Sequence, residues 1–183
     1  MRLISLAAAL ALSAAAVAPA LAQDGPPPPA APAASAIGVA PAAASDWLKS
    51  IGAIVGETQE AAGRRFIPVN DGRLDWTLWF YTCGPELCDD IQFSSIFTSA
   101  QITPEKINDW NRDNRFIKAF YIAPVGDTPA RAVAQYDVLL STTGVEQIND
   151  VTATWANQLD KFANAMGFAA PAPAAAPAAA PAQ

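Results

Sequence analysis

Two cysteines and a few close-set carboxylates are the side chains of this chain that could do chemistry. Cys83 and Cys88 bracket Gly84-Pro85-Glu86-Leu87, a spacing that suits a local disulfide in an oxidising compartment. A ring this short restrains the unfolded chain by about 2 kcal/mol in the loop-entropy model, so it pins a turn without holding a fold together. Redox catalysis fits poorly, because the spacing is not Cys-x-x-Cys and no neighbour in the sequence is a cation that would lower a thiol pKa. Two Cys and no His cannot fill a four-ligand zinc site. The lack of His also excludes Ser-His-Asp and Cys-His designs. Carboxylates remain for acid and base work: Asp89-Asp90 beside the second Cys, and Glu105 with Asp109 four residues apart on one helical face. Adjacent acids beside a turn are ordinarily solvated charge, so no catalytic residue, metal ligand or cofactor is expected. An envelope enzyme using these carboxylates on a cell-wall substrate is the alternative reading.

Other side chains suit binding better than bond-breaking. Asn108, Asn111, Arg112, Asn114 and Arg115 crowd the end of a helical stretch, where an Arg can pair with a carboxylate on a partner. A helix C-terminus capped by cations and Asn explains the same cluster and is what the macrodipole favours. Trp76, Trp79 and Tyr81 fall on one period-two stretch and so face both sides of a strand. A helix over the second face would make Trp79 and Tyr81 packing, which is the expected arrangement. Left open, that face is an interaction surface. The candidate interaction residues are therefore Trp79, Tyr81, Asn111, Arg112 and Arg115.

The elements that must position these residues can be read from spacing. Ser45 or Asp46 caps a first helix with Trp47, Leu48, Ile51 and Val55 on one face, ended by Gly56. A strand near residues 65–69 leads into Asn70-Asp71-Gly72, a hairpin turn signal. Leu74, Trp76, Leu78 and Phe80 alternate with Asp75, Thr77, Trp79 and Tyr81 as a second strand. Ile91, Phe93 and Phe97 mark a third that returns beside it, with the disulfide stapling the hairpin tip. Thr103 caps a helix with Pro104 at its first position and Ile107 and Trp110 inward, stopping near Asn114. Strands over 116–123 and 130–140 form another hairpin. Thr143-Gly144-Val145-Glu146 reads as a capping box before Ile148, Val151, Trp155, Leu159, Phe162 and Met166 at three- and four-residue steps. The order α-β-β-β-α-β-β-α predicts an α+β domain: an antiparallel sheet of about five strands with helices packed on it.

The ends of the chain differ from its middle. Arg2, the uncharged run from Leu3 to Val17, Pro19 and the small-residue pattern Ala20-Leu21-Ala22 form a secretory signal peptide over 1–22, with cleavage between Ala22 and Gln23. The Pro/Ala-rich segments 23–44 and 169–183 lack side chains to bury and are expected to be disordered tethers. Residues 45–168 hold all five Trp, three Tyr and eight Phe and make one domain. Without Arg2, ten basic residues face seventeen acidic ones, a net charge of −7. That balance disfavours nucleic acid and anionic membrane as partners. The mature chain is expected to be periplasmic, with no membrane span.

The run Cys88-Asp89-Asp90-Ile91-Gln92-Phe93-Ser94-Ser95, then Glu105-Lys106-Ile107-Asn108-Asp109-Trp110-Asn111-Arg112 with Arg115-Phe116 and Tyr121 after it, resembles the YbjN domain family. The resemblance spans roughly residues 46–166. It departs late in the domain, where members commonly show an Asp-x-Asp-type strand and this chain has Gln135-Tyr136-Asp137-Val138. Members are described as "putative bacterial sensory transduction regulators" with a fold similar to type III secretion chaperones. The resemblance therefore implies a non-enzymatic, chaperone-like protein-binding or regulatory module and carries over no catalytic residue. Its partner would be another envelope protein or a second copy of the chain.

Overall fold

The computed structural model describes residues 37–168. The expected signal peptide and its cleavage point, the tether up to residue 36 and the tail 169–183 lie outside them.

The first helix, α1, spans Pro41–Ser50, with Pro41 at its start, where a missing N–H costs nothing. Ala44, Ser45 and Leu48 are its buried face. The expected helix from Ser45 to Gly56 is thus shifted toward the N-terminus. It stops at Ser50, and Gly52, at φ +95°, takes the chain out of the helix. Residues 38–44 belong to the fold and not to the tether. Gly38 donates to the Thr142 carbonyl (2.8 Å), and Val39 exchanges two backbone hydrogen bonds with Cys88 (3.0 Å each). Val39 is buried. Ala-rich sequence carries no apolar period, which is why this docking segment reads as linker.

Two short strands follow, β1 (Ile54–Val55) and β2 (Gln59–Ala61), each too short to show alternation. They pair with the expected strand β3 (Arg64–Asn70), which in turn pairs with β4 (Asp75–Cys83). Between β3 and β4 the Asn-Asp-Gly turn forms as predicted. The Asn70 side-chain oxygen accepts from the Gly72 N–H (2.8 Å), and one Asp71 carboxylate oxygen accepts from the Arg73 and Leu74 N–H groups. Strand β5 (Cys88–Thr98) returns beside β4, and Cys83 faces Cys88 across the hairpin, bonded as a disulfide with Cα atoms 4.0 Å apart. The staple sits at the hairpin tip, as expected. Arg65 donates to the Cys88 sulfur at 3.5 Å, a cation that the local sequence did not reveal.

Helix α2 (Pro104–Asp113) has the predicted cap, the Thr103 hydroxyl accepting from the Lys106 N–H. β6 (Lys118–Ile122) and β7 (Arg131–Leu139) form the second hairpin, and β7 also pairs with β5. Helix α3 (Glu146–Ala165) begins later than the expected capping box would place it: its N-cap position falls on Val145, not Thr143, with no side-chain cap from Val145. The turn before it is organised by the Gln147 amide instead. That amide donates to the Thr142 and Gly144 carbonyls and accepts from the Ser141 and Thr142 N–H groups.

The strands make one seven-stranded antiparallel sheet in the order β1-β3-β4-β5-β7-β6, with β2 beside β3. It has two more strands than expected, the short pieces at one edge. The α+β architecture is as predicted. All three helices contribute to a single core against one face: Leu48 from α1, Ile107 and Trp110 from α2, and Ile148, Trp155, Leu159 and Phe162 from α3. Trp155, fully buried, sits against Trp76 (6.3 Å between centroids) and Phe93 (5.7 Å). Phe162 meets Phe97 and Trp110 edge-on.

Gly38 offers a test of where the domain begins. Its φ is +122°, and a Cβ there would stand 2.4 Å from the Cys88 carbonyl oxygen. Gly38→Ala is therefore expected to destabilise the protein by more than about 1 kcal/mol in urea unfolding. A tether residue would show no change.

Candidate interaction surface on the open sheet face

Because side chains alternate along a strand, the register of the sheet sorts them into two faces. The helix side holds Ile67, Leu78, Phe93 and Tyr136 in one cross-strand row, and Phe80, Ile91 and Val138 in the next. The intervening residues point the other way. One row of that opposite face runs Phe66, Trp79, Gln92, Asp137 across β3, β4, β5 and β7. Beside it on one side lie Tyr81, Asp90 and Leu139, and on the other Pro68, Thr77, Ser94, Gln135 and Lys118. The following row is apolar: Ile96, Val133 and Phe120.

No helix of the described residues packs on this second face. The helical cover expected over Trp79 and Tyr81 is missing because all three helices are used on the first. Leu139 is 82% exposed, Ile96 60% and Phe120 54%, values that a covered face would not allow. Trp79 and Tyr81 are half-buried by their sheet neighbours, Trp79 packing on Phe66 at a tilt with centroids 4.6 Å apart. A groove of about 540 Å³ runs beside Trp79, lined by Ile54, Pro68, Thr77, Ser94 and Ile96.

Gln92 is the polar hub of the face. Its side-chain oxygen accepts from the Tyr81 hydroxyl (3.3 Å) and the Gln135 amide (3.0 Å), and its amide donates to Asp137 (2.6 Å). The Arg64 guanidinium lies over the Tyr81 ring at 5.2 Å. Burial raises the Tyr81 pKa, opposed by Arg64 and assisted by Asp137 and Asp90. Asp90 is held above the ordinary carboxylate value by burial first, then by repulsion from Asp137 and Asp89.

Of the two carboxylate pairs named from the sequence, the first separates in space. Asp89 and Asp90 are consecutive in β5 and so point to opposite faces. Glu105 and Asp109 stay one turn apart on α2, and Asp109 is neutralised by Arg112 at 2.7 Å. Among the described residues no three His, Cys, Asp or Glu side chains stand together as a metal site, and no helix is long and apolar enough to cross a membrane.

The candidate binding residues also fall into two groups that the fold keeps apart. Trp79 and Tyr81 lie on the open face, whereas Asn111 and Arg112 belong to α2 on the helix side and Arg115 follows that helix. The Asn111 amide donates to the Ala119 carbonyl (2.9 Å) and accepts from the Ala119 N–H (2.8 Å), occupying the outer edge of β6 as a neighbouring strand would. Trp110 bonds the Ile117 carbonyl on the same edge. Arg112 is exposed and clasped by Asp113 and Asp109, whose hydrogen bonds, that to Asp113 first, raise its pKa. Arg115 is exposed. The residues that sequence reasoning missed are Gln92, Gln135, Ile96, Val133, Phe120 and Leu139. For the three on β7 the signal was its alternation, where Val133, Gln135, Asp137 and Leu139 interleave with Ala132, Ala134, Tyr136 and Val138.

Two expected outcomes follow from these contacts. Removing the Asn111 amide strips both partners from Ala119 on an edge strand. Asn111→Ala should therefore cost about 1–3 kcal/mol and increase self-association, read by urea unfolding and light scattering. For Asp90, a folded-state pKa raised above the unfolded value means that the folded state binds this proton more tightly. That stabilisation is full below the unfolded value and is lost as pH rises through the folded one. Asp90→Asn should thus raise Tm near neutral pH and leave it unchanged in strong acid, checked by circular-dichroism melts across that range.

Comparison with known proteins gives a family and a similarity to solved structures. The YbjN family model, described as "Putative bacterial sensory transduction regulator", matches residues 44–168. The chain is similar to the protein of "Crystal structure of YbjN, a putative transcription regulator from E. coli", with 20% identity over 66% of this chain and 87% of that one and a TM-score of 0.41. No curated protein matches the sequence.

Proposed function

Since the chain belongs to the YbjN family, we propose that it is an exported, non-enzymatic binding or regulatory module that presents the open face of its sheet to another envelope protein. The observation that carries this reading is the exposure of Leu139, Ile96 and Phe120 on three adjacent strands of one uncovered face. Water contact with that much apolar side chain is unfavourable at roughly 25 cal/mol per Å², and a partner that covered it would recover that free energy. Trp79 and Tyr81 add rigid aromatic area with polar tips, the side-chain types that anchor protein interfaces.

Export is supported by Arg2, the uncharged run to Val17 and the Ala20-Leu21-Ala22 pattern, with cleavage before Gln23. The Cys83–Cys88 disulfide is compatible with an oxidising periplasm. The Pro/Ala segments at both ends would then give the domain reach within the envelope. A chaperone-like role fits an apolar face of this kind. The family description, as a regulator, fits a domain that acts by binding and not by bond-breaking.

A photo-crosslinking amino acid at position 139 or 96, introduced in living cells, should form a discrete adduct with an envelope protein. The same group at Asn157, on the solvent side of α3, should form none. Equal labelling from all three positions, or none from any, would refute a binding role for this face.

A further inference from the structure

The open face is apolar at its margins but acidic at its centre. Asp90 on β5 and Asp137 on β7 project from the same side, one register step apart on neighbouring strands: Asp90 is opposite Leu139, and Asp137 is opposite Gln92. Diagonal neighbours of this kind lie about 7–8 Å apart at the backbone, within reach of a single long side chain placed between them. Neither carboxylate is in an ion pair. The four salt bridges of the described residues use Asp46, Asp160, Asp109 and Asp113 instead. Two bases on this face are held elsewhere: Arg64 is drawn over the Tyr81 ring, and Lys118, one register step from Asp137, donates to the Asn114 carbonyl (3.4 Å). Gln92 grips one oxygen of Asp137, which orients the group and leaves the second oxygen as an acceptor. Apolar contact area flanks the acids on both sides, with Leu139 two residues along β7 from Asp137 and Trp79 in the same row as Asp137.

The sheet edge does not compete for the role. On β6, Asn111 takes both backbone groups of Ala119, and Trp110 takes the Ile117 carbonyl, so a partner strand cannot extend the sheet there. The face is the broader surface left to a partner.

We propose that this face takes a cationic, amphipathic peptide segment of its protein partner, with one Lys or Arg side chain seated between Asp90 and Asp137 and neighbouring apolar side chains on Leu139 and Trp79. The inference rests on the reading of the face as a protein-binding surface and adds the chemistry of the partner. An Arg suits the site best, since its planar donors can satisfy both carboxylates at once. Acidic peptides are repelled by the same two groups.

Fluorescein-labelled peptides of alternating Leu and Arg, Leu and Glu, and Leu and Ser, titrated against the purified full chain, test this by anisotropy. The Leu-Arg peptide should bind most tightly, the Leu-Ser peptide weakly and the Leu-Glu peptide not at all. The double variant Asp90→Asn, Asp137→Asn keeps both side-chain shapes and should weaken Leu-Arg binding about tenfold or more. A control with equal loss of charge, Asp46→Asn with Asp150→Asn, should leave binding unchanged, which separates a seat from the general pull of an acidic protein. Equal binding of the Leu-Arg and Leu-Glu peptides, no Leu-Arg binding, or undiminished affinity in the double variant would overturn the inference. If the cross-link from position 139 still forms in that case, the protein-binding reading survives with a different partner chemistry.

Discussion

The arrangement turns on how much sheet three helices can cover. Helices about 10 Å wide, laid side by side, span about 30 Å, and six strands at about 4.8 Å spacing span nearly the same distance. Trp155 of α3, wedged against Trp76 and Phe93, and Trp110 of α2, wedged against Phe162, commit the helices to one face. Nothing remains among the described residues to cover the other. Its composition follows from that: Gln92, Gln135, Asp90, Asp137, Thr77 and Lys118 can live in water, and the exposed Leu139, Ile96 and Phe120 stand out against them.

The edges of the sheet are finished differently from its face. At one margin the short strands β1 and β2 share β3, so no long strand is left bare. At the other, a side-chain amide from α2 imitates a neighbouring strand and closes β6 at Ala119. The polar cluster at the end of α2 thus works inside the molecule. Asn111 bonds a strand, Asn114 bonds the Trp110 carbonyl, and Arg112 stays with two acids of its own helix. The available surface is the broad face.

The N-terminal segment and the disulfide form one local system. Cys88 is bonded through sulfur to Cys83, receives the Arg65 guanidinium, and trades backbone hydrogen bonds with Val39. Gly38 is required at that crossing because its φ and the nearby Cys88 carbonyl leave no room for a Cβ. Thr82, a β-branched residue at φ +46°, carries backbone strain beside the ring. The staple therefore does more than fix a hairpin tip, since the chain's entry into the domain is docked on one of its two residues.

Much of this was legible in the chain itself, because short-range physics decides it. Period-two alternation marked β4 and β5, Asn70-Asp71-Gly72 specified its turn through side chains that bond their own backbone, Thr103-Pro104 started α2, and the close cysteines specified their own pairing. Where the local signal was weak, reading failed. Ala residues carry no period to reveal α1, two- and three-residue strands carry no alternation, and Thr143 lost the cap position to a turn built by Gln147. Whether the more polar face of β4 would be covered could not be read at all. Trp76 and Trp79 are alike as residues, and only the placing of α3, some seventy residues later in the chain, buried one and left the other half in water. Burial of that kind is a property of the assembled layers, so the candidate surface became visible only with the tertiary structure.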